Sequence, residues 1–310
     1  MNTESQVGST GLVFPGQGSQ APDMFQAFSH LDVFRESVEQ LNDLLELDFV
    51  AMADEHSLPI NDNVVSSVCT VLASVCALEM YHSNNEERPS VLAGFSVGQW
   101  SALYASGVVS REMLFNIVVK RAQIMDSIVN VGAASGMLAV IGVRLDNIQS
   151  ACDKIREGDD FVSVANYNAP NQYTLSGTIA GLAKVQNILR EFHPKKMARI
   201  PVAGAWHSEL LRESVHVFRD FLSGIELNRP QIPVLSNVTG KPLDPDSFLS
   251  SLSEHLASPV RWQNCIETMI TSFDISQCIE IGYGNMLTKF GFFIDRRVKH
   301  CAMFPPPRRK

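Results

Sequence analysis

Short apolar runs alternate with longer segments of helical apolar spacing in the N-terminal part of the chain, and this alternation constrains the fold more than any other feature. The runs at 10–14 and 90–93 are β-like, and each ends at a turn that contains glycine. Residues 33–45, 64–81, 96–106 and 111–129 carry helical spacing. Strands that alternate with helices are typical of an α/β domain with a mainly parallel sheet.

A glycine- and alanine-rich cluster at 132–136 marks a change in the pattern of predicted elements. The elements predicted after it follow the order β-α-β-β-α-β, which is the ferredoxin-like pattern. Its strands are predicted at 137–143, 161–165, 173–176 and 198–202, and its helices at 145–156 and 179–191. We therefore predict a large α/β domain formed by 1–132 and 204–310, with a small ferredoxin-like subdomain inserted at 133–203. Further elements of the large domain are predicted as helices at 208–222 and 243–253 and strands at 233–236 and 277–281.

Composition and charge exclude several classes of protein. The 310 residues include 25 Lys and Arg against 33 Asp and Glu, a net charge of −8, whereas general nucleic-acid binders carry a basic excess. No run approaches the roughly 20 apolar residues of a membrane helix. The six cysteines are dispersed, which disfavours a zinc site or a disulfide scaffold and predicts reduced, buried thiols. Residues 1–10 contain no targeting signal.

The segment Gly94-Phe95-Ser96-Val97-Gly98 matches G-x-S-x-G between a strand-like run and a helix-like segment. This is the context of a nucleophile elbow, which exposes its serine at a helix N-terminus. Free N–H groups there favour the negative charge that develops when a serine attacks a carbonyl. The alternative is an ordinary glycine-rich turn.

A nucleophilic serine needs a base, and one of the eight histidines has a suitable setting. His207 follows the last strand of the small subdomain and begins a helical segment, although a capping or solvent-facing histidine remains the alternative. The glycine-rich loop at 14–20 has neither G-x-G-x-x-G nor a P-loop lysine, which disfavours a nucleotide site. The loop could instead direct a backbone N–H at an oxyanion, or be a plain connection.

These motifs together resemble the malonyl-CoA:acyl-carrier-protein transacylase family. Seven matching segments occur in the family's order and span nearly the whole chain: FPGQGSQ (14–20), GFSVGQWSAL (94–103), RAQIM (121–125), NYNAPNQYTLSG (166–177), GAWHS (204–208), SPVRW (258–262) and IGYGNML (281–287). The resemblance implies a hydrolase-like large domain with an inserted small subdomain.

The resemblance also implies a role for each matching residue. Ser96 would be the acylated nucleophile and His207 the base that takes its proton. The pair would act without an acidic third member. The backbone carbonyl of His255, where bacterial relatives tend to have glutamine, would orient the histidine. The backbone N–H groups of Gln17 and Val97 would form the oxyanion hole.

Arg121 would bind the malonyl carboxylate, since a guanidinium recognises a carboxylate through two parallel hydrogen bonds. It lies inside an apolar helical pattern, where an inward charge needs an anionic partner; the alternative is a solvated face. Trp206 stands where the family more often has phenylalanine, and its bulk favours malonyl over methylmalonyl. The chain also departs from the family's usual residues at Phe95, Gln99 and Ala122. The changes at Phe95 and Gln99 remove polar groups near the pocket. We therefore expect the charge of the pocket and the pH dependence of the activity to differ from those of relatives.

The function implied is transfer of a malonyl group from malonyl-CoA to acyl carrier protein for fatty-acid synthesis, by a ping-pong mechanism. The resemblance implies no metal or redox cofactor, no nucleic acid, no membrane and a monomer. The location would be cytoplasmic in a bacterium and the mitochondrial matrix in a eukaryote. Three alternatives remain open: another acyl group such as acetyl or methylmalonyl, a serine esterase or thioesterase that uses the late His300, and an inactive module that docks a carrier protein.

An acidic carrier protein that meets a chain of net charge −8 needs a local basic patch. Two clusters are candidates: Lys195, Lys196 and Arg199, and Arg296, Arg297 and Lys299.

Overall fold

The computed structural model describes residues 9–55, 57–85, 87–129, 131–202 and 204–306. Most of the segment 1–10, in which no targeting signal is expected, lies outside these residues. The strands are β1 (Ser9–Phe14), β2 (Val91–Gly94), β3 (Ser135–Ile141), β4 (Val162–Ala169), β5 (Gln172–Thr178), β6 (Lys196–Ile200), β7 (Val234–Leu235), β8 (Ile275–Tyr283) and β9 (Lys299–Phe304).

The helices are α1 (Asp32–Leu45), α2 (Phe49–Asp54), α3 (Asn63–Asn84), α4 (Gly98–Ala105), α5 (Arg111–Val129), α6 (Leu145–Arg156), α7 (Ile179–Leu189), α8 (Arg212–Ser223), α9 (Phe248–Glu254), α10 (Trp262–Phe273) and α11 (Met286–Ile294). Short 3₁₀ turns lie at Arg190–Phe192, Glu209–Leu211 and Pro245–Ser247.

The large sheet is parallel and has helices on both faces. Its strand order is β7-β2-β1-β8-β9, and every pairing is parallel. Leu12 and Phe14 of β1 belong to the core shared with α1, α3, α5 and α8, whereas Val13 belongs to the core shared with α10 and α11. Successive side chains of a strand point to opposite faces, so a sheet covered on both sides needs such an uninterrupted apolar run.

Helix α3 is the central helix of the larger core. Its mean hydropathy is 1.7, so by length and composition it could cross a membrane, against the sequence expectation that no segment would qualify. However, 83% of the tested window is buried inside the structure, as in the core helix of a globular fold.

The second sheet is antiparallel, has the order β4-β5-β3-β6, and carries α6 and α7 on one face. Leu138 and Val140 of β3 pack in the core beneath those helices, whereas the alternate residues of β3 line a cavity against the large domain. Reciprocal backbone bonds from Tyr167 N to Val260 O (2.9 Å) and from Val260 N to Ala165 O (2.8 Å) join β4 to the large domain. The predicted fold class, a parallel α/β domain with a ferredoxin-like small subdomain, is confirmed. The proposed domain boundaries stay a prediction.

Several element boundaries differ from the predicted ones for local reasons. The helix expected from residue 96 begins at Gly98, because Ser96 has a left-handed backbone with φ of 53°. The helix expected from residue 208 begins with a 3₁₀ turn and becomes α-helical at Arg212. The sequence predictions also missed four elements: α2, α10, α11 and β9.

Candidate active site

The G-x-S-x-G segment forms a sharp turn between β2 and α4. Ser96 is a non-glycine residue in the left-handed region, which is the strained backbone expected of a nucleophile elbow. Both flanking glycines are required by close packing. A Cβ on Gly94 would lie 1.9 Å from the carbonyl oxygen of Gly98, and one on Gly98 would lie 2.4 Å from that of Phe14. Any larger residue would force the turn open.

Ser96 contacts His207 directly. The Ser96 Oγ lies 2.7 Å from His207 Nε2, and His207 Nδ1 lies 2.9 Å from the carbonyl oxygen of His255. Because a carbonyl can only accept, Nδ1 carries the proton and Nε2 is left to accept the serine hydroxyl. His207 also has a left-handed backbone, with φ of 56°. This is the geometry expected of a nucleophile, a base and a main-chain group that orients the base.

The electrostatic surroundings keep His207 neutral. Burial is the largest cause and the charge of Arg121 the second, and together they lower the pKa of His207 to about 3. The His255 ring stacks on His207 with centroids 5.0 Å apart, and burial lowers its pKa well below the usual value as well. A neutral imidazole can accept a proton from serine at physiological pH.

Arg121 is buried on the inner face of α5, with 1% of its surface exposed. None of its three side-chain nitrogens has a hydrogen-bond partner among the described residues. Burial lowers the pKa of Arg121 to about 10. A buried cation without a partner is costly, and Arg121 itself is not among the residues that line the cavity beside Ser96. The solvated-face alternative for Arg121 is wrong.

Asn237 holds the elbow from behind, and sequence reasoning missed it. Its Oδ1 accepts a hydrogen bond from Ser96 N at 2.8 Å, and its Nδ2 donates to the carbonyl oxygen of Gly94 at 2.6 Å. Its own N–H donates to Gln99 Oε1 at 2.8 Å. Gln99 therefore lies behind the turn and does not line the cavity, contrary to the expectation that it would change the charge of the pocket. The only sequence signal for Asn237 was its position just after a predicted strand.

The two candidate oxyanion donors come from different segments, Val97 from the elbow itself and Gln17 from the loop after β1. Val97 immediately precedes α4, and the first N–H groups of a helix have no partner within it. Gln17 lines the same cavity as Ser96, but its side chain is turned towards α3, where Nε2 donates to Ser66 Oγ at 2.6 Å and to Asn63 Oδ1 at 3.0 Å. The Nε2 of Gln17 is therefore engaged with α3 and is not available to a substrate.

Ser96 and His207 open onto a cavity of about 350 Å³ between the two sheets. Phe95 packs edge-to-face on Trp262, with centroids 5.5 Å apart, and forms part of the apolar wall. Trp206 lines the cavity beside the base, and its carbonyl oxygen accepts a hydrogen bond from Ser176 Oγ at 2.5 Å. The small subdomain thus fixes the loop that carries the base.

His300 lies away from this cavity. Its Nε2 donates to the carbonyl oxygen of Asp295 at 3.0 Å, and its ring covers Gly291 at the side of α11. The histidine that contacts Ser96 is His207. The geometry therefore does not favour a serine esterase or thioesterase that uses the late His300 as its base.

The fold and this site define an acyl transferase, and comparison with known proteins agrees. Residues 12–289 match the model of the acyl transferase domain family. The malonyl CoA-acyl carrier protein transacylase of Synechocystis sp. is 30% identical over 284 residues, covering 90% of this chain and 91% of that protein. That of Bacillus subtilis is 28% identical over 300 residues, covering 95% of this chain and 93% of that protein.

Two solved structures share the fold. The acyl-carrier-protein S-malonyltransferase of Burkholderia pseudomallei has a TM-score of 0.88 and 30% identity, covering 96% of this chain and 97% of that one. A malonyl-transacylase in complex with a type II PKS acyl-carrier protein has a TM-score of 0.88 and 27% identity, covering 96% of each chain. The chain belongs to the malonyl-CoA:acyl-carrier-protein transacylase family of acyl transferase domains.

Proposed function

We propose that this protein transfers a malonyl group from malonyl-CoA to the phosphopantetheine thiol of an acyl carrier protein, through an ester on Ser96. The single observation that carries the proposal is Arg121, a buried and unpartnered cation close enough to His207 to lower its pKa. A malonyl group differs from an acetyl group by one carboxylate, and that carboxylate would supply the missing partner. The names of the relatives, and the solved complex of a related transacylase with its carrier, support this substrate and partner.

In the first half-reaction, Ser96 Oγ attacks the thioester carbonyl carbon while its proton moves to His207 Nε2. The electron pair of the carbonyl moves to oxygen, and the N–H groups of Gln17 and Val97 hold the resulting oxyanion. When the carbonyl reforms, the carbon–sulfur bond breaks. The coenzyme A sulfur leaves with the proton from His207, and a malonyl ester remains on Ser96.

In the second half-reaction, the carrier thiol gives its proton to His207 Nε2 and attacks the ester. The oxyanion forms in the same place and collapses, and Ser96 leaves with the proton that His207 returns. Because the two thiols use one site in turn, the mechanism is ping-pong. Serine, histidine, arginine and backbone N–H groups supply all of this chemistry, so the proposed reaction uses no metal or redox cofactor.

The test is to incubate the protein with malonyl-CoA and measure its intact mass. We expect a malonyl adduct on Ser96 that disappears when acyl carrier protein is added and never forms in Ser96→Ala. The matched control is Ser101→Ala, since Ser101 is a buried serine of neighbouring α4 whose hydroxyl has no partner among the described residues.

Other outcomes identify the alternatives. Rapid release of free malonate without transfer would indicate a hydrolase, and absence of any adduct on the wild-type protein would indicate an inactive docking module. An adduct with acetyl-CoA that matches the malonyl adduct in rate would indicate a different acyl specificity.

A further inference from the structure

A chain of side-chain hydrogen bonds joins the loop after β1 to helix α5. Gln17 Nε2 donates to Asn63 Oδ1 at 3.0 Å. Asn63 Nδ2 donates in turn to Asp126 Oδ1 at 2.9 Å and to the carbonyl oxygen of Ala122 at 3.3 Å. Gln17 and Asn63 are 46 positions apart in sequence, and Asn63 and Asp126 are 63 apart, so the fold alone brings them together. We call Gln17, Asn63 and Asp126 the loop–helix network.

The direction of each bond in the network is set by the acceptors at its α5 end. A carboxylate and a backbone carbonyl can only accept, so Asn63 turns its NH₂ group towards Asp126 and Ala122. The Oδ1 of Asn63 then faces Gln17 and accepts from it. Without the carboxylate of Asp126, the Asn63 amide would be held on that side by the longer bond to Ala122 alone. The orientation of Asn63, and with it the anchor of Gln17, therefore depends on Asp126.

The loop that carries Gln17 depends on side-chain bonds for its position. Residues 15–20, all of them described, belong to no helix or strand. Two of its side chains reach the segment at the start of α3: Gln17 donates to Asn63 and Ser66, and Gln20 Nε2 donates to the carbonyl oxygen of Ile60 at 3.2 Å. These bonds set where the main chain of the loop lies. A misplacement of about 1 Å in a group that holds the reacting atoms can cost about 100-fold in rate.

The bond between Asn63 and Asp126 stabilises the charged form of the carboxyl group. Burial raises the pKa of Asp126, the hydrogen bond from Asn63 lowers it, and the charge of Asp62 raises it. A hydrogen bond to an ionised acceptor is about twice as strong as one between neutral groups. The link to Asp126 is therefore the strongest that the Asn63 side chain makes within the network.

Asp126 lies outside the cavity in which the reaction would occur. It lines a second cavity, of about 470 Å³, which shares Gln17 and Trp206 with the cavity beside Ser96. Asp126 does not line the cavity beside Ser96 itself. Any effect of Asp126 on the chemistry must therefore pass through the residues that it holds.

We propose that Asp126 is a positioning residue for the oxyanion hole, which acts through Asn63 to fix the main chain of Gln17 where its N–H group meets the thioester oxygen. The proposal rests on the proposed transacylase function for the role of Gln17. It adds a residue on α5 to the machinery, and it ties the oxyanion loop to the helix that also carries Arg121.

The test measures acylation of Ser96 by malonyl-CoA and by acetyl-CoA in rapid-mixing experiments. In Asp126→Ala we expect the maximal acylation rate to fall about tenfold, less than the about 10²–10³-fold lost when an oxyanion donor is removed outright, because Gln17 keeps its bond to Ser66. The concentration of acyl-CoA at half-maximal rate should change little. The rate should fall by the same factor for both acyl groups, since both present the same carbonyl oxygen to the hole.

The conservative variant and a break at the other side of the bond test the route of the effect. Asp126→Asn keeps an acceptor for Asn63 and should stay within about twofold of the wild-type rate. Asn63→Leu, of similar size but without hydrogen bonds, should lower the rate as Asp126→Ala does, and it keeps the test decisive if Asp126→Ala does not fold. The double variant should be no slower than Asn63→Leu, because residues that act through one network are not additive.

The matched control is Glu112→Ala, which removes an exposed carboxylate from the same helix and should leave acylation unchanged. The free energy of unfolding is measured for every variant, so that loss of folded protein is separated from loss of rate. An unchanged acylation rate in Asp126→Ala, additive losses in the double variant, or a changed malonyl-to-acetyl ratio would overturn the positioning role.

Failure of the proposed function is recognised separately. If the wild-type protein forms no malonyl ester, the transacylase proposal is wrong. The positioning role is then read from the burst of p-nitrophenol released when p-nitrophenyl acetate acylates Ser96, a reaction that needs the elbow and the oxyanion hole but no malonyl group. A slower burst in Asp126→Ala would support the role, and equal bursts in the wild type and the variant would refute it.

Discussion

Removing the charge of Arg121 should make the protein more stable and less active at once. In Arg121→Met an apolar chain of similar length replaces a guanidinium that is buried and has no partner among the described residues. Burial lowers the pKa of Arg121 from 12.5 to about 10. At 1.36 kcal/mol per pKa unit, the charged form is destabilised in the folded protein by about 3 kcal/mol. The free energy of unfolding should therefore rise by up to about 3 kcal/mol, since replacing buried charge with packed apolar groups is often stabilising.

Activity should change in the opposite direction. Loss of a desolvated charge pair costs about 2–5 kcal/mol, so kcat/KM for malonyl-CoA should fall by about 30-fold or more. The value for acetyl-CoA should stay level or rise, because acetyl has no carboxylate to pair. Arg121→Lys should recover malonyl transfer only in part, since an ammonium lacks the two-pronged fork.

The assays are chemical unfolding and steady-state kinetics with both acyl-CoA substrates. The control is Arg111→Met at the other end of α5, where Arg111 donates to Glu36 at 2.6 Å on the surface. An exposed ion pair contributes about 0–1 kcal/mol, so this variant should be neutral or slightly less stable and keep its selectivity. A large loss of stability in Arg121→Met, or an unchanged malonyl-to-acetyl ratio, would refute the reasoning.

Three other predictions follow from particular contacts. Asn237→Ala removes two hydrogen bonds from the elbow and should lower kcat for acylation with little effect on KM. An unchanged kcat would show that the conformation of the elbow does not depend on Asn237. Because the pKa of His207 is about 3 when folded and about 6.5 when unfolded, the unfolded chain takes up the proton first as pH falls, and stability should drop by about 2 kcal/mol between neutral pH and pH 5. His207→Gln should lack that part of the drop in a comparison of unfolding at the two pH values, and an equal drop would contradict the lowered pKa. Glu280→Ala removes the acceptor of hydrogen bonds from Leu287 N, Thr288 N and Thr288 Oγ1 at the start of α11. It should lower the free energy of unfolding by about 1–3 kcal/mol and raise KM for both substrates, since α11 lines the cavity. Unchanged stability would refute this role.

The sequence predicted the parts of the site whose signal is local. Gly94 and Gly98 bracket Ser96 at fixed spacing, and the close packing of their backbones explains why the pattern is readable in one dimension. The alternation of strands and helices likewise predicted the parallel sheet, because that sheet needs buried runs and crossover helices.

The parts that it missed depend on tertiary contacts. Asn237 reaches Ser96 across 141 positions of sequence, and no local pattern distinguishes it from a loop asparagine. Helix α11 begins with the apolar run that follows Asn285 and has no side-chain cap on that residue; its first N–H groups are instead bonded by Glu280 of the preceding strand. The sequence does contain a usual helix-start residue in Asn285, but no local pattern shows that the acceptor for these N–H groups is Glu280.

In the proposed mechanism the charge of Arg121 would both bind the malonyl group and act on the base, which would couple recognition to chemistry. In the free site burial and, second to it, the charge of Arg121 lower the pKa of His207, so the imidazole is a weak base there. A malonyl carboxylate paired with Arg121 would neutralise that charge and raise the pKa of His207, which would strengthen the base only when the correct acyl group is bound. An acetyl group would leave the charge uncompensated. The acid limb of kcat for malonyl-CoA should therefore lie at higher pH than that of kcat/KM, since kcat reports the complex and kcat/KM the free enzyme. In Arg121→Met the two limbs should coincide, and a persistent separation would show that the carboxylate acts on the base by another route.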